Sequence, residues 1–278
     1  MKKRISIKLL SVTLAVSSVM SIGLLTAKPT LRADDEIESA ITVDALSAPV
    51  KLVTDIAKTQ KGYYEKKSNK SLYSKTANKG KKNYTKYAYE FDNYFKTFYG
   101  GKKQTVAWCD MFVDWCFVTA FGEAGARKAL YQPTKSAGAG ANSSMSYYKK
   151  HKAFSKTPKV GDQVFFSKSA NGKKAVHTGL VIAVSKSSIT IIEGNSGKNT
   201  DLVVQSTIKK NSARYKKIIG FGHPKYSAVS SNKTLSFVSN LYSKGINSSL
   251  AADTRFQYSN RLSCGNMTGA YLVKAVFE

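Results

Sequence analysis

Val176-His-Thr-Gly-Leu-Val-Ile-Ala-Val184 alternates with a period of two. Val176, Leu180, Ile182 and Val184 share one face of an extended chain, and His177, Gly179, Val181 and Ala183 share the other. The stretch predicts a strand. Working outward, Lys159-Val-Gly-Asp-Gln-Val-Phe-Phe166 reads as a turn entering a strand. Ile189 to Glu193, Leu202 to Gln205 and Ile218 to Gly222 read as further strands. Upstream the period changes. Pro49 opens a helical pattern carried by Val50, Val53, Ile56, Ala57 and Gln60 and closed by Gly62. Residues 86–98 and 142–154 predict short helices. Trp108-Cys-Asp-Met-Phe-Val-Asp-Trp-Cys-Phe-Val-Thr-Ala-Phe121, ended by Gly122, has so few polar residues that it predicts a buried helix. Helices first and short strands afterwards indicate an α+β fold, with N-terminal helices packed on an antiparallel sheet of about five to six strands. The small residues beside His177 are expected to let a helix lie close against their face.

The N-terminus reads as an address rather than as structure. Lys2, Lys3, Arg4 and Lys8 precede an uncharged apolar run from Leu9 to Ala27, the parts of a secretory signal, with cleavage expected after Ala27 or Ala33. On this reading residues 1–33 are a signal peptide, and no stable membrane span remains after cleavage. Residues 34–48 form a leader with five acids and no base. Residues 58–103 are the opposite, with 13 lysines against Glu65, Glu90 and Asp92. A basic surface points to a polyanionic partner and says nothing about fold. For an exported protein, anionic cell-wall polymers are the expected partner. Eight tyrosines interleave with these lysines from residue 63 to residue 99, a pattern also found in single-stranded nucleic-acid platforms. The preferred reading is a solvated segment whose rings pack inward, with no nucleic acid expected. The serine-rich residues 227–278, with a helix expected around Leu235 to Tyr242, form a C-terminal extension of unknown role.

Three cysteines, Cys109, Cys116 and Cys264, make a poor disulfide framework and leave an odd thiol. No metal-ligand spacing links them to the three histidines, and neither a metal nor a cofactor is expected. A catalytic cysteine works as its thiolate, and a helix N-terminus favours that form. Cys109 sits where the Gly100–Lys103 loop meets the buried helix, and its own backbone N–H could stabilise an oxyanion. Gln104 is a further candidate for that task. Cys116 lies two turns on, ~10 Å away along the axis, in the helix interior; it is expected to be a small core residue. Among the histidines, His151 and His223 look exposed. His177, on its strand, is the candidate base. Its orienting partner is expected in Glu193-Gly-Asn195, two polar side chains two residues apart on the next strand.

In order and spacing, several short motifs between Val50 and Tyr226 resemble the CHAP family of cysteine, histidine-dependent amidohydrolases and peptidases. They are Ile56-Ala-Lys-Thr-Gln-Lys-Gly-Tyr63, Trp108-Cys-Asp-Met-Phe-Val-Asp-Trp115, Pro158 to Phe166, Val176-His-Thr-Gly-Leu-Val181, Glu193-Gly-Asn195 and Gly220-Phe-Gly-His-Pro-Lys-Tyr226. The resemblance implies a papain-like fold over residues 49–226, with Cys109 as nucleophile, His177 as base, and Glu193 and Asn195 as orienting residues. It also implies cleavage of an amide bond in peptidoglycan by a secreted, extracellular or wall-associated enzyme. The alternative is a non-catalytic basic protein that binds cell wall or nucleic acid, which requires the Cys–His–Glu/Asn set to be coincidence.

The charge distribution makes one prediction. Exposed charges lose their reach beyond ~10 Å at about 0.1 M salt and beyond ~3 Å at about 1 M. Binding to isolated walls should fall steeply over that range, and turnover of a small neutral muropeptide should change little. Wall binding that survives reversal of six lysines in the 66–82 run to glutamate, at low salt, would place the determinant elsewhere.

Overall fold

A computed structural model describes residues 47–197 and 201–229. The expected signal peptide, nearly all of the acidic leader, the expected helix at 235–242 and Cys264 lie outside the described residues. Four α-helices come first: α1 (Ala48–Thr59), α2 (Lys86–Asn93), α3 (Cys109–Ala129) and α4 (Ala141–Lys150). Six strands follow: β1 (Phe154–Ser155), β2 (Gln163–Phe166), β3 (His177–Val184), β4 (Ser188–Ser196), β5 (Leu202–Lys209) and β6 (Ile218–Gly222). They form one sheet in the order β1-β6-β2-β3-β4-β5, and every neighbouring pair is antiparallel. The fold is α+β, and the sheet comprises the expected strands plus β1, a two-residue edge.

Local chemistry explains the helices. Pro49 stands in the first turn of α1, where its missing N–H costs nothing, and Val50, Leu52, Val53, Ile56 and Ala57 form its buried stripe. Thr85 caps α2 by accepting the Ala88 N–H. In α3 every residue from Cys109 to Phe121 is buried. Gly122, at φ 69° and ψ 171°, interrupts the helix, which resumes as far as Ala129. Only glycine takes that conformation readily, so the expected end at Gly122 is a kink between two helical runs.

Between α1 and α2 the lysine-rich segment folds onto this frame through turns and isolated bridges. Its backbone meets β5 through Gly62 N–H to Val203 O (2.9 Å) and Val203 N–H to Tyr63 O (2.8 Å). Tyr63, Tyr87 and Tyr99 are buried, and Tyr63 donates to Leu72 O while accepting the Lys86 N–H. Lys66 is fully buried. Its ammonium donates to Ser74 O (2.6 Å) and Lys75 O (3.1 Å) over the face of Tyr63, and burial, aided by the like charges of Lys86 and Lys79, lowers its pKa to about 8. The tyrosines nearest the core are therefore packing residues.

The sheet has two buried faces. Leu180, Ile182, Ile192 and Val203 pack with Met111, Phe112 and Trp115 of α3, and Val164, Phe166, Val181, Ile191, Ile208 and Phe221 form a separate cluster on the other face. This corrects the expectation about Gly179, Val181 and Ala183. Alternation says which residues share a face, and the helix chose the opposite one. The glycine that admits α3 is Gly194, where a Cβ would lie 2.5 Å from the Trp108 ring and 2.7 Å from Phe112. A second correction concerns His223, which is half-buried. Its Nδ1 meets Asp162 Oδ1 (2.9 Å) and its Nε2 meets Ser155 Oγ (2.8 Å), clasping the edge strand to the 159–162 turn.

Gly194→Ala is expected to destabilise the protein by about 1–3 kcal/mol through overpacking against Trp108. Denaturant unfolding measures this, and an unchanged midpoint would show that the close approach is not required.

Candidate active site

Cys109 is the first residue of α3 and is 8% exposed. Three contacts to the residue before it fix that helix start. Trp108 is fully buried, with Nε1 donating to the buried Glu65 (3.1 Å) and its indole stacked on Tyr87 at 5.6 Å. Asn195 is satisfied at both ends of its amide when Oδ1 accepts the Trp108 backbone N–H (3.2 Å) and Nδ2 donates to Asp201 Oδ2 (3.3 Å). The opposite orientation offers a single long bond, to Asn83 at 3.4 Å. Behind Cys109, Asp110 accepts from Ser144 Oγ of α4 (2.8 Å) and Gln163 Nε2 of β2 (2.9 Å). One turn on, Asp114 accepts from Tyr99 Oη and from Gln132 Nε2 (2.9 Å). Burial, with the like charge of Asp114, holds the Asp110 carboxyl well above its ordinary range. The two aspartates brace the helix from inside.

His177 opens β3, and its Nε2 lies 2.8 Å from Glu193 Oε2 on β4. Cys109 is the other group that acts on the ring. Burial works against the imidazolium, but the hydrogen bonds and charges of Cys109 and Glu193 outweigh it and raise the pKa to about 9. Burial likewise pushes the Glu193 carboxyl up, and His177 and Arg214 more than offset it, leaving its pKa lowered. Glu193 is fully buried and also accepts from Ser206 Oγ (3.0 Å). Thr105, Val106 and Ala107, just before the helix, and Val176, just before His177, are exposed and leave the pair approachable from outside.

The candidates thus divide. Cys109, His177 and Glu193 form one continuous row. Asn195 does not face His177 with Glu193, although two residues apart on a strand normally point the same way. Asn195 has φ 53°, and the β4–β5 register shifts between Glu193 and Ser196, so the irregularity turns the amide toward Trp108. Gln104 is a correction. Its Nε2 donates to Asn69 Oδ1 and Thr85 O, and its Oε1 accepts the Thr85 N–H. Both amide protons are engaged away from Cys109. Cys116 is fully buried, and burial pushes its thiol far above the ordinary value. His151 is exposed and stacks on Tyr131. Among the described residues, no group of three or more His, Cys, Asp or Glu side chains could hold a metal ion, and no helix is long and apolar enough to cross a membrane.

The family model of the CHAP domain matches residues 101–195. That stretch is similar to a CHAP domain. It contains Cys109, His177, Glu193 and Asn195 and points to a peptidoglycan hydrolase in general. No curated protein and no solved structure matches the chain.

Arg214 lies beyond the matched stretch, and the sequence reading missed it. The described residues contain two arginines among many lysines, and both hold a carboxylate: Arg127 with Glu123, and Arg214 with Glu193. That scarcity was the available signal, because a fixed, multidentate grip on a carboxylate suits arginine better than lysine.

Iodoacetate should label Cys109 in the native protein and spare Cys116 until denaturation. The raised His177 pKa sets the pH dependence. The imidazolium that attracts the reagent persists up to about pH 9 and is lost above it, so the Cys109 labelling rate should fall as pH rises through about 9. Mass-spectrometric peptide mapping against pH measures both effects. A fall near pH 6.5 instead would mean that Cys109 and Glu193 do not support the imidazolium.

Proposed function

We propose that the chain is a secreted peptidoglycan hydrolase that cuts an amide bond of the cell wall by Cys–His nucleophilic catalysis. The bond is the N-acetylmuramoyl-L-alanine link or a bond within the wall peptides. The observation that carries the proposal is the Cys109–His177–Glu193 row at the N-terminus of a buried helix, inside the stretch similar to a CHAP domain. The catalytic unit is residues 49–226, in keeping with one apolar core that draws on residues from Leu52 to Val229. Secretion rests on the basic, then apolar, N-terminal pattern, and attraction to wall polymers rests on the lysines of residues 58–103.

The Cys109 sulfur, as thiolate beside the His177 imidazolium, attacks the carbonyl carbon of the amide. The Cys109 N–H stands at the first helical position, where no intrahelical acceptor exists, and stabilises the developing oxyanion. His177 donates its proton to the leaving amine as the C–N bond breaks, leaving a thioester. It then accepts a proton from water, whose oxygen attacks the thioester and releases the acid and the thiolate. Glu193 holds the ring through Nε2 and stabilises its charge during both steps. Side chains and backbone suffice for this route.

Cys109→Ala should lower hydrolysis of purified peptidoglycan by on the order of 10³-fold or more. Cys116→Ala should cost about 1 kcal/mol of stability and leave activity in place. Identifying the new amino termini in the digest decides the bond. Free L-alanine amines indicate the amidase reaction and other new amines indicate an endopeptidase, whereas a digest without new termini would favour the non-catalytic binder.

A further inference from the structure

We infer that Arg214 is a positioning residue for the catalytic pair, locking Glu193 in one orientation and tempering the negative field that Glu193 exerts on His177. The inference rests on the proposed Cys–His chemistry and concerns a residue outside the CHAP match. A carboxylate offers about four lone-pair sites, and Glu193 has four short contacts with donors. Arg214 Nη2 lies 2.6 Å from both Oε1 and Oε2, Ser206 Oγ donates to Oε1 at 3.0 Å, and His177 Nε2 meets Oε2 at 2.8 Å. With one site on each oxygen given to Arg214, the remaining site on Oε2 serves His177. The carboxylate cannot rotate without breaking a charge-assisted bond.

The guanidinium is itself held. Its Cζ lies 5.3 Å from the Phe166 ring centroid, and that ring lies 5.9 Å from the His177 ring. Phe166 therefore touches both cations of the group and keeps their spacing. Arg214 is 40% exposed at the side chain whereas Glu193 is fully buried, so the arginine is also the lid between the carboxylate and solvent. The charged and titratable groups facing the Glu193–His177 pair are Cys109 from α3 and Arg214 from the segment before β6, while Ser206 of β5 and Phe166 of β2 are neutral.

The sign of the effect follows from charge. Removing a cation raises the proton affinity of every nearby group, so without Arg214 the imidazolium should persist to higher pH and the ion pair should also take up its acid proton earlier. A residue that only stabilised the fold would lower stability and leave both transitions where they were. The test is the pH profile of Cys109 alkylation by iodoacetate in the full chain, which needs no wall substrate and therefore stands whether or not peptidoglycan is cleaved. Arg214→Met should shift both limbs upward, by about half a pH unit or more, and Arg214→Lys, keeping the charge, should return them close to the parent values. Thermal melts establish that each variant is folded over the range. Limbs unchanged in folded Arg214→Met, or shifted equally in Arg214→Lys, would overturn the inference.

Discussion

The burial of Trp108 is the constraint on which the site depends. A nucleophile at the start of a helix is only as well placed as the residue before it, and here that residue is an indole with no solvent exposure. Glu65 takes its ring N–H, Asn195 takes its backbone N–H, and Gly194 leaves the space its ring fills. These partners come from the lysine-rich segment and from β4. The same strand supplies Glu193, so a single tripeptide sets the helix, through Gly194 and Asn195, and the His177 ring, through Glu193. A small shift of β4 would therefore move both partners together, preserving their relative geometry.

The electrostatics of the site divide by depth. Inside α3, Asp110 and Asp114 are buried among neutral donors, and burial raises both carboxyls, Asp114 to about 6. At the helix start the balance reverses: Glu193, equally buried, has its pKa lowered, because it meets an imidazole and a guanidinium. Buried carboxylates thus serve two purposes in one domain. Those that meet amides and hydroxyls brace the helix, and the one that meets cations holds its charge beside the proposed base.

Much of this was legible in the sequence, and the gaps have physical causes. The strands from β2 to β6 follow from alternation and turn residues, and the buried helix follows from its lack of polar residues. β1 has two residues, too few for any period to show, and α2 stops at Asn93, short of the expected Phe98. The types and order of Cys109, His177 and Glu193 named a group that the fold brings together. Alternation could not say which sheet face receives the helix, nor foresee that the left-handed backbone at Asn195 would turn its amide toward Trp108. Arg214 stands 21 residues after Glu193, and only the β4–β5 hairpin and the turn beyond it bring the two together.

The edge-strand clasp gives the molecule a second carboxylate–imidazole pair that ends on a side-chain nucleophile type, here a hydroxyl: Asp162–His223–Ser155, with spacings of 2.9 and 2.8 Å. By distances alone it would pass as a hydrolytic triad. Its third member differs from Cys109 in backbone setting. Ser155 lies in a strand paired with Phe221 of β6, and its Oγ already accepts the Thr157 N–H. Cys109 opens a helix, where amide protons point outward along the axis. The two rows share a pattern of side chains, and what separates a latch from a reaction centre in this fold is the direction in which the main chain presents its hydrogen atoms.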